Sequence, residues 1–320
     1  MKKGIFIIVY FGKIPSYFTV WKKTAERSKK FDFLIVTDDT TAIFSDTNNI
    51  KICIMTFTEF KERVQRKFQF TVNLNNPRKL CDYKPAYGYL FEEEIKEYDY
   101  WGYCDLDLIF GDIDKLIPLE QNYDKLFAHG HMTLFKNSYE MNRIFMKKIN
   151  HNQTFEDIYK NDYNFVFDEP SDNLNINLIC AESQVKTYID YNIADVNPYS
   201  YLFRRSLYDY SCPNKKDRIT KLEKNGKTVY LWDNGSLKSF TLDGNKILTN
   251  ELRYFHFQKR NMDIQIESDV NVFLIIPNKL IPFNGKITEK EINKYTKKKL
   301  IYKQYFALKY KNLKKKLGGK

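Results

Sequence analysis

Two aspartates, Asp105 and Asp107, stand one residue apart directly after the aromatic run Tyr100 to Cys104. Side chains two positions apart in an extended segment point the same way, so both carboxylates can face one ion while Leu106 turns into the core. Two hard oxygen ligands suit Mg²⁺ or Mn²⁺, and such a cation offsets the negative charge that grows on a departing diphosphate. Asp-x-Asp also occurs as a solvated pair at a strand end, and the pattern alone leaves that alternative open.

The segments around this pair predict a parallel α/β sheet in the N-terminal half of the chain. Ile5 to Tyr10 and Phe33 to Val36 are continuously apolar, as strands covered on both faces are, and Ile50 to Met55 predicts a third strand. Phe57 to Phe68 predicts a basic amphipathic helix. The clearest predicted helix runs from Lys84 to Glu97, where an apolar stripe lies opposite three glutamates.

Ligands bind at the carboxyl ends of parallel strands, so the polar residues that follow each strand are candidates for a site. Asp38 and Asp39 follow the second predicted strand. Gly130 lies between His129 and His131, and a glycine there permits close backbone approach to a ligand. We therefore expect Gly130 and His131 to line the pocket of a transferred group or of its acceptor. Metal binding by both histidines is not expected, because Mg²⁺ and Mn²⁺ do not need nitrogen ligands.

Asp168 and Glu169 follow an aromatic run and precede a proline. If a reaction at this site activates an acceptor hydroxyl, that hydroxyl needs a general base, and a carboxylate in the cleft is the usual choice. The alternative is that these two residues cap a helix that begins near Ser171.

Beyond about residue 220 the pattern changes to short strands that are separated by turns. Thr228 to Trp232, Leu237 to Leu242 and Val270 to Ile276 predict strands of a small antiparallel meander. The turn signals between strand-like runs are Asn225-Gly226, Asn234-Gly235 and Asp243-Gly244. The chain is therefore divided into a ligand-binding α/β unit over 1–220, a meander with a late strand over 221–285, and a C-terminal helix over 286–320.

Most of the net charge of +12 lies at the C-terminus. From Glu289 to Lys320 there are twelve Lys and two Glu, a net of +10, which leaves about +2 for the rest of the chain. Aromatic and aliphatic residues alternate with these lysines, so the segment predicts a basic amphipathic helix that binds an anionic membrane surface. A solvated Lys-rich helix is the first alternative. A nucleic-acid tail is the second, and it is not expected because the body shows no nucleic-acid motif.

Three further features concern the compartment. No apolar run reaches the roughly 18 to 20 residues that a membrane-spanning helix needs, and Ile5 to Phe11 lacks a signal-peptide cleavage pattern. Five cysteines without a CxxC pair indicate reduced thiols. We expect a cytoplasmic protein that is peripheral to the inner face of the cell membrane.

Three segments of the chain resemble a family of bacterial glycosyltransferases associated with capsule and lipopolysaccharide gene clusters. They are DYKPAYGYLFEEEIKEYDYWGYCDLDLIFGD from Asp82 to Asp112, the opening IIVYFGKIPSYFTVW, and the later YFHFQKR. The resemblance spans about the first 260 residues. It implies a GT-A fold, which is a Rossmann-like mixed sheet, together with a nucleotide-diphosphate sugar donor. The donor expected from family habit carries uridine.

The resemblance also implies roles for single residues. Asp105 and Asp107 would form the DxD metal site, and Asp105 would also meet the donor. A late histidine completes the metal sphere in many GT-A enzymes, so the resemblance makes His256 a candidate metal ligand, and its alternative as a structural strand residue stays open. Alternation places Tyr254, His256 and Gln258 on one face. The other residues implied to contact the donor are Tyr10, Phe11, Gly12, Asp38, Asp39 and Lys84 for the nucleoside and phosphates, and Lys259 and Arg260 for the departing diphosphate.

These patterns together predict a metal-dependent glycosyltransferase of the hexosyltransferase type that extends a glycan or lipid-linked glycan. One alternative is a metal-dependent phosphoryl or nucleotidyl transferase, which would normally show a further carboxylate cluster or a Gly-rich phosphate loop. The other is a non-catalytic basic protein that binds membrane or RNA through its tail.

Overall fold

The computed structural model describes residues 1–40, 47–208, 219–223, 226–299 and 301–316. It is an α/β structure with mixed sheets, and strands are numbered β1 to β18 in chain order among these residues. The predicted α/β class is therefore confirmed.

A seven-stranded sheet in the order β3-β2-β1-β4-β7-β6-β8 forms the centre of the fold. Its strands are β1 (Gly4–Tyr10), β2 (Phe31–Thr37), β3 (Ile50–Ile54), β4 (Tyr100–Cys104), β6 (Lys125–His129), β7 (Met132–Lys136) and β8 (Thr187–Tyr188). β1 to β4 are mutually parallel where they pair, whereas β7 runs antiparallel to both β4 and β6. Ile5 and Ile7 enter one apolar cluster and Phe6 and Ile8 another. The sheet is thus buried on both faces, as the continuous apolar runs predict.

Short helices surround this sheet. The described α-helices before residue 200 are Phe18–Ala25, Phe57–Lys67, Leu80–Tyr83, Tyr87–Leu90, Glu92–Ile95, Ile113–Leu116, Tyr139–Asn142, Phe155–Lys160 and Ile176–Glu182. Single 3₁₀ turns occur at Pro77–Lys79, Lys84–Ala86, Leu119–Gln121 and Ile144–Met146. The helix Phe57–Lys67 begins at a capping box in which Thr56 and Glu59 satisfy each other's backbone N–H groups. The prediction of this helix is confirmed.

The continuous helix predicted from Lys84 to Glu97 is wrong. The segment divides into the 3₁₀ turn and the two helical turns Tyr87–Leu90 and Glu92–Ile95, with Phe91 between them at φ −119° and ψ 31°. The predicted apolar stripe is nevertheless buried. Phe91 packs against Phe60 and under the guanidinium of Arg63, so tertiary packing overrides the local helical preference at this residue.

A six-stranded sheet in the order β14-β13-β12-β17-β18-β16 contains the predicted meander. Its strands are β12 (Thr228–Asp233), β13 (Ser236–Asp243), β14 (Lys246–Glu251), β16 (Asp263–Ile264), β17 (Val272–Ile276) and β18 (Lys279–Pro282). The turn between β12 and β13 has positive φ at Asn234 (49°) and Gly235 (100°), as a type I′ hairpin requires. Gly244 in the next hairpin is also at positive φ, whereas Asn225 of the first turn signal lies outside the described residues.

Two smaller sheets complete the strands. β5 (Leu108–Phe110), β15 (Tyr254–His256) and β9 (Ile193–Asp195) pair in the order β5-β15-β9. β10 (Ser206–Tyr208) pairs with β11 (Ile219–Leu222). The three-stranded sheet joins residues from both sides of the boundary predicted at residue 220, and it attaches the segment after Asp107 to the segment that carries His256.

The C-terminal segment forms two helices, so the prediction of one continuous helix is wrong. Glu289–Tyr295 packs on the meander through the buried Ile292, and its last turn is followed by Thr296, whose hydroxyl bonds to the Ile292 carbonyl. The sequence Lys297-Lys298-Lys299 follows, and its described residues are not helical. The second helix is Lys303–Lys316, while Leu300 and Leu317 lie outside the described residues. Among the described helices, none has the length and apolar character needed to cross a bilayer.

Candidate metal centre

Asp105 and Asp107 lie at the carboxyl edge of the central sheet, immediately after β4. The backbone N–H of Asp105 donates to the His131 carbonyl at 3.1 Å, and the Trp21 indole N–H donates to the Asp105 carbonyl at 3.1 Å. The Phe257 N–H donates to the Asp107 carbonyl at 3.3 Å. The backbone of the Asp-x-Asp segment is therefore fixed from three sides, and the ends of β1 and β2 lie at the same edge.

His256 joins the two aspartates. One ligand atom of each of Asp105, Asp107 and His256 lies within 4.8 Å of the other two. His256 Nε2 lies 3.3 Å from Asp107 Oδ1. The Asp105 side chain is 37% exposed and the Asp107 side chain 18%, so the cluster is accessible from solvent on its carboxylate side. The position expected for His256 from the resemblance matches this geometry.

Asp195 contacts the imidazole of His256 at Nδ1, the ring nitrogen that does not face Asp107. The His256 Nδ1 to Asp195 Oδ1 distance is 2.9 Å, and the Gln258 amide nitrogen donates to the same oxygen at 2.5 Å. Parallel pairing of β15 with β9 sets His256 directly opposite Asp195. Burial lowers the pKa of His256, but Asp107 and Asp195 outweigh it and raise the pKa well above its ordinary value. A carboxylate on Nδ1 that leaves Nε2 for an ion is the usual support of a metal-ligating histidine.

Asp195 was not a predicted site residue. Its sequence signal is the same as that of Asp38 and Asp107, namely an aspartate at the end of a short apolar run, Ile193 to Ala194. The run is too short to identify a strand by itself.

Lys84 joins the metal cluster to a second pair of acids. Its Nζ lies 2.7 Å from Asp105 Oδ1, 3.1 Å from Asp168 Oδ2 and 2.9 Å from the Gly130 carbonyl oxygen. Burial lowers the pKa of Lys84, but Asp105 and Asp168 raise it well above its ordinary value. The prediction that Lys84 belongs to the site fits this position, and its contact with a ribose or phosphate stays a prediction.

Asp168 is buried and Glu169 half-buried beside Lys84. Burial raises the pKa of Asp168 to about 7 although Lys84 acts in the opposite direction, and burial also raises the pKa of Glu169. Asp168 Oδ1 has no hydrogen-bond partner among the described residues. The alternative role as a helix cap is not seen, because the next helix begins at Ile176 with Asn175 as its N-cap.

The loop that carries Asp168 is fastened by a buried ion pair. Lys79 Nζ lies 2.7 Å from Asp82 Oδ2, and both side chains are almost completely buried. The carboxylate of Asp82 accepts the backbone N–H groups of Phe165 and Phe167 at 3.0 and 2.9 Å. This pair therefore determines where the chain enters the site just before Asp168.

Gly130 and His131 lie inside the protein rather than on an acceptor surface. A Cβ atom on Gly130 would come within 2.5 Å of Asp168 Oδ2, so only glycine fits there. His131 is 3% exposed, and its Nδ1 shares a 3.0 Å hydrogen bond with the Tyr254 hydroxyl. The centre of its ring lies 4.2 Å from the centre of the His256 ring, with the two rings tilted. Burial lowers its pKa well below the ordinary value, so it is neutral. The predicted direct contact of His131 with an acceptor is corrected to a role in packing beneath His256.

The loops after β1 and β2 hold each other. The Gly12 N–H donates to Asp38 Oδ1 at 2.7 Å, and the Ile14 N–H donates to Asp39 Oδ2 at 2.8 Å. Gly12 has φ 93°, a conformation that favours glycine. These aspartates thus shape the loop at the edge of the site, and their contact with a nucleoside stays a prediction.

Two aromatic residues of this loop point in different directions. Phe11 packs into the core against Phe57 and Phe60, which is a correction to its predicted contact with a donor through the side chain. Tyr10 is half-buried. Its pKa is raised mainly by burial and to a smaller extent by the negative charge of Asp107. The contact of Tyr10 with a donor stays a prediction.

Arg260 and Lys259 are not part of the cluster. Arg260 is 2% exposed, and its guanidinium donates to the Asn278 side chain and to backbone carbonyls of the loop at 197–202. Lys259 is exposed, and its carbonyl accepts a 2.5 Å hydrogen bond from the Gln304 amide. The predicted contact of Arg260 with a diphosphate is wrong, because Arg260 is buried and both of its Nη atoms already donate to carbonyl oxygens within the protein.

Fold and site together define an α/β protein with a carboxylate and imidazole cluster at the carboxyl edge of its central sheet. The chain matches the model of a family of unknown function (DUF6625) over residues 6–284 and belongs to that family. A search of curated proteins finds no match to this chain. The matched range contains the whole cluster and ends before the helices Glu289–Tyr295 and Lys303–Lys316.

Proposed function

We propose that this protein is a metal-dependent glycosyltransferase that takes a sugar from a nucleotide-diphosphate sugar, with a UDP-sugar as the expected donor. The observation that carries the proposal is the convergence of Asp105, Asp107 and His256 at the carboxyl end of β4. A ligand that binds at the ends of parallel strands would lie against this cluster. The parallel order β3-β2-β1-β4 supports a Rossmann-like sheet, and the finer GT-A assignment is part of the proposal.

The residues present fit a divalent cation. Asp105 and Asp107 offer carboxylate oxygens and His256 offers Nε2, while Asp195 fixes the ring through Nδ1. Carboxylates suit both Mg²⁺ and Mn²⁺, and the imidazole favours Mn²⁺. When bound, the cation would offset charge on the diphosphate that leaves the sugar.

Other side chains would act on the acceptor and on the site itself. Lys84 keeps Asp105 and Asp168 together across the cluster. Asp168 Oδ1 is the atom that would accept the proton of an acceptor hydroxyl if the reaction inverts the anomeric centre. A pKa near 7 suits that role, since a general base works best when its pKa is near the working pH. The surface-polysaccharide acceptor is proposed from the resemblance alone.

A panel of nucleotide sugars, assayed with Mn²⁺ for release of the nucleoside diphosphate, tests the proposal. Transfer or hydrolysis of the sugar releases the nucleoside diphosphate. A nucleotidyl transferase acting on the same nucleotide sugar would instead release sugar 1-phosphate, and a sugar-phosphate transferase would release the nucleoside monophosphate. Asp107→Asn is expected to reduce turnover by about 100-fold or more, because a metal contributes several kcal/mol at this step. Asp243→Asn, an exposed aspartate at a hairpin, is the matched control. Equal turnover in the two variants would remove the metal assignment.

A further inference from the structure

The helix Lys303–Lys316 shows its apolar side to solvent instead of to the body. Phe306, Tyr310 and Leu313 stand at i, i+4 and i+7 and are 61%, 63% and 54% exposed. That spacing gathers them on one stripe, and Ile301, 70% exposed, precedes it. We call Phe306, Tyr310 and Leu313 the outer stripe. A surface helix normally buries such a stripe against its own protein.

Polar groups, in contrast, fasten the other side of this helix to the body. The Gln304 amide donates to the Lys259 carbonyl at 2.5 Å, and the Asn312 amide donates to the Tyr199 hydroxyl at 2.7 Å. The ring of Tyr302, just before the helix, lies 5.7 Å from the ring of Tyr201. The helix is therefore docked in one orientation, and that orientation directs the outer stripe away from the protein.

Charge identifies the class of surface that the outer stripe fits. From Lys297 to Lys320 the sequence contains ten Lys and neither Asp nor Glu. Lys309, Lys311 and Lys314 are exposed on the same helix as the stripe. An apolar stripe flanked by unbalanced lysines suits a bilayer surface with anionic headgroups, because acyl chains take the apolar groups and headgroups take the cations.

We propose that the helix Lys303–Lys316 and Ile301 bind the protein to an anionic lipid surface, with the outer stripe in the interface. A purely solvated helix would not place its large apolar residues at one face. A nucleic-acid surface would use the lysines but would leave Ile301 and Leu313 in water.

The docked helix also touches the segment that carries a metal ligand. Lys259, which accepts the bond from Gln304, follows His256 by three residues, a chain length of at most about 11 Å. A bilayer under the helix would thus lie near the site, where a lipid-linked acceptor would be available. Only this step rests on the proposed function, since lipid binding itself needs neither donor nor metal.

Co-sedimentation of the full chain with lipid vesicles, without nucleotide or metal, tests the proposal. Binding is expected to vesicles of phosphatidylcholine with phosphatidylglycerol, to be much weaker with phosphatidylcholine alone, and to fall as salt screens the charges. Replacing Lys309, Lys311 and Lys314 by Ala is expected to weaken binding about 100-fold, at about fivefold for each lysine.

A second variant separates the apolar contribution from the charge. Phe306→Ser, Tyr310→Ser and Leu313→Ser together leave every lysine in place and are expected to weaken binding about tenfold or more. The matched control is Tyr139→Ser with Tyr163→Ser, which removes exposed aromatic residues from the body. Circular dichroism of each variant verifies that the fold persists.

Three results would overturn the proposal. The first is the absence of binding to the anionic vesicles. The second is RNA binding that depends on the lysines but not on the outer stripe, with no vesicle binding. The third is a dimer in sedimentation velocity that the Phe306, Tyr310 and Leu313 variant abolishes, again with no vesicle binding. None of these results would bear on metal-dependent turnover, so they are distinguishable from failure of the proposed function.

Discussion

The candidate metal centre and the helix Lys303–Lys316 hold their charges in opposite ways. In the centre, Lys84 Nζ contacts three oxygens and His256 lies between two carboxylates. On the helix, Lys309 and Lys314 are exposed, and the Nζ atom of each lies 5.9 Å from the centre of a tyrosine ring. Buried charges need partners in fixed positions, whereas exposed charges act through their number and are screened by salt.

This difference determines what substitutions should do. A change in the centre or in its supports should alter stability, metal affinity or pH dependence, because it leaves a buried group without its partner. A change on the helix should leave the fold intact and alter only association with a surface.

Asp82→Asn should cause the largest loss of stability. It removes the partner of the buried Lys79 ammonium and loosens the chain before Asp168. Breaking a buried ion pair from one side costs about 3–5 kcal/mol. Urea unfolding measures the free energy of unfolding. The control is Glu156→Gln in the exposed pair with Lys160, where about 0.5 kcal/mol is expected. Equal losses in both variants would contradict the structural role assigned to Asp82.

Asp168 should make the protein less stable as pH rises. Its pKa is raised from the ordinary value of 3.8 to about 7 by burial, so between those values the folded state binds more protons than the unfolded state. The free energy of unfolding attributable to this group therefore falls with increasing pH, by about 2–4 kcal/mol across that window. Asp168→Asn should remove this dependence, so the difference between wild type and variant should grow from pH 4 to pH 8. A constant difference in melting temperature would count against a raised pKa.

Asp195→Asn should weaken Mn²⁺ binding without touching a proposed metal ligand. The carboxylate fixes the ring orientation and tautomer of His256 through Nδ1. Loss of such a support typically costs 10 to 100-fold in metal affinity. Isothermal titration with Mn²⁺ measures the change, with Asp243→Asn as the control. Unaltered affinity would mean that His256 does not bind the ion.

The smallest effect on stability is expected on the C-terminal helix. Phe306→Ser, Tyr310→Ser and Leu313→Ser together should change the free energy of unfolding by no more than about 0.5 kcal/mol for each residue, because the three side chains are already exposed. Urea unfolding of this variant beside wild type measures the difference. A loss as large as that of Asp82→Asn would show that the outer stripe packs against the protein.

The sequence predicts those site residues whose positions depend on local strand geometry. Asp105 and Asp107 follow a strand whose bounds, Tyr100–Cys104, are those predicted. Strand alternation alone predicts that Tyr254 and His256 lie on the same face of their strand. Both residues face the buried cluster, Tyr254 through His131 and His256 through Asp107. The predicted meander strands pair in antiparallel order, and Asn234, Gly235 and Gly244 in its turns have positive φ.

Contacts between residues that are distant along the chain could not be predicted from the sequence. Asp195 lies 61 residues from His256, and only the pairing of β9 with β15 brings them together. Arg260 follows the site segment, but its donors are taken by a loop whose position no local pattern reveals. Phe91 interrupts a well-patterned helix because Phe60 and Arg63 pack on it.

The central claim is that Asp105, Asp107 and His256 together bind one divalent cation. Isothermal titration of Mn²⁺ into the protein, with and without UDP, tests it most directly against the double variant Asp105→Asn with Asp107→Asn. We expect a single Mn²⁺ per chain in the wild type, tighter binding with UDP present, and loss of that binding in the double variant. Mn²⁺ binding of the same stoichiometry and affinity in both proteins would contradict it.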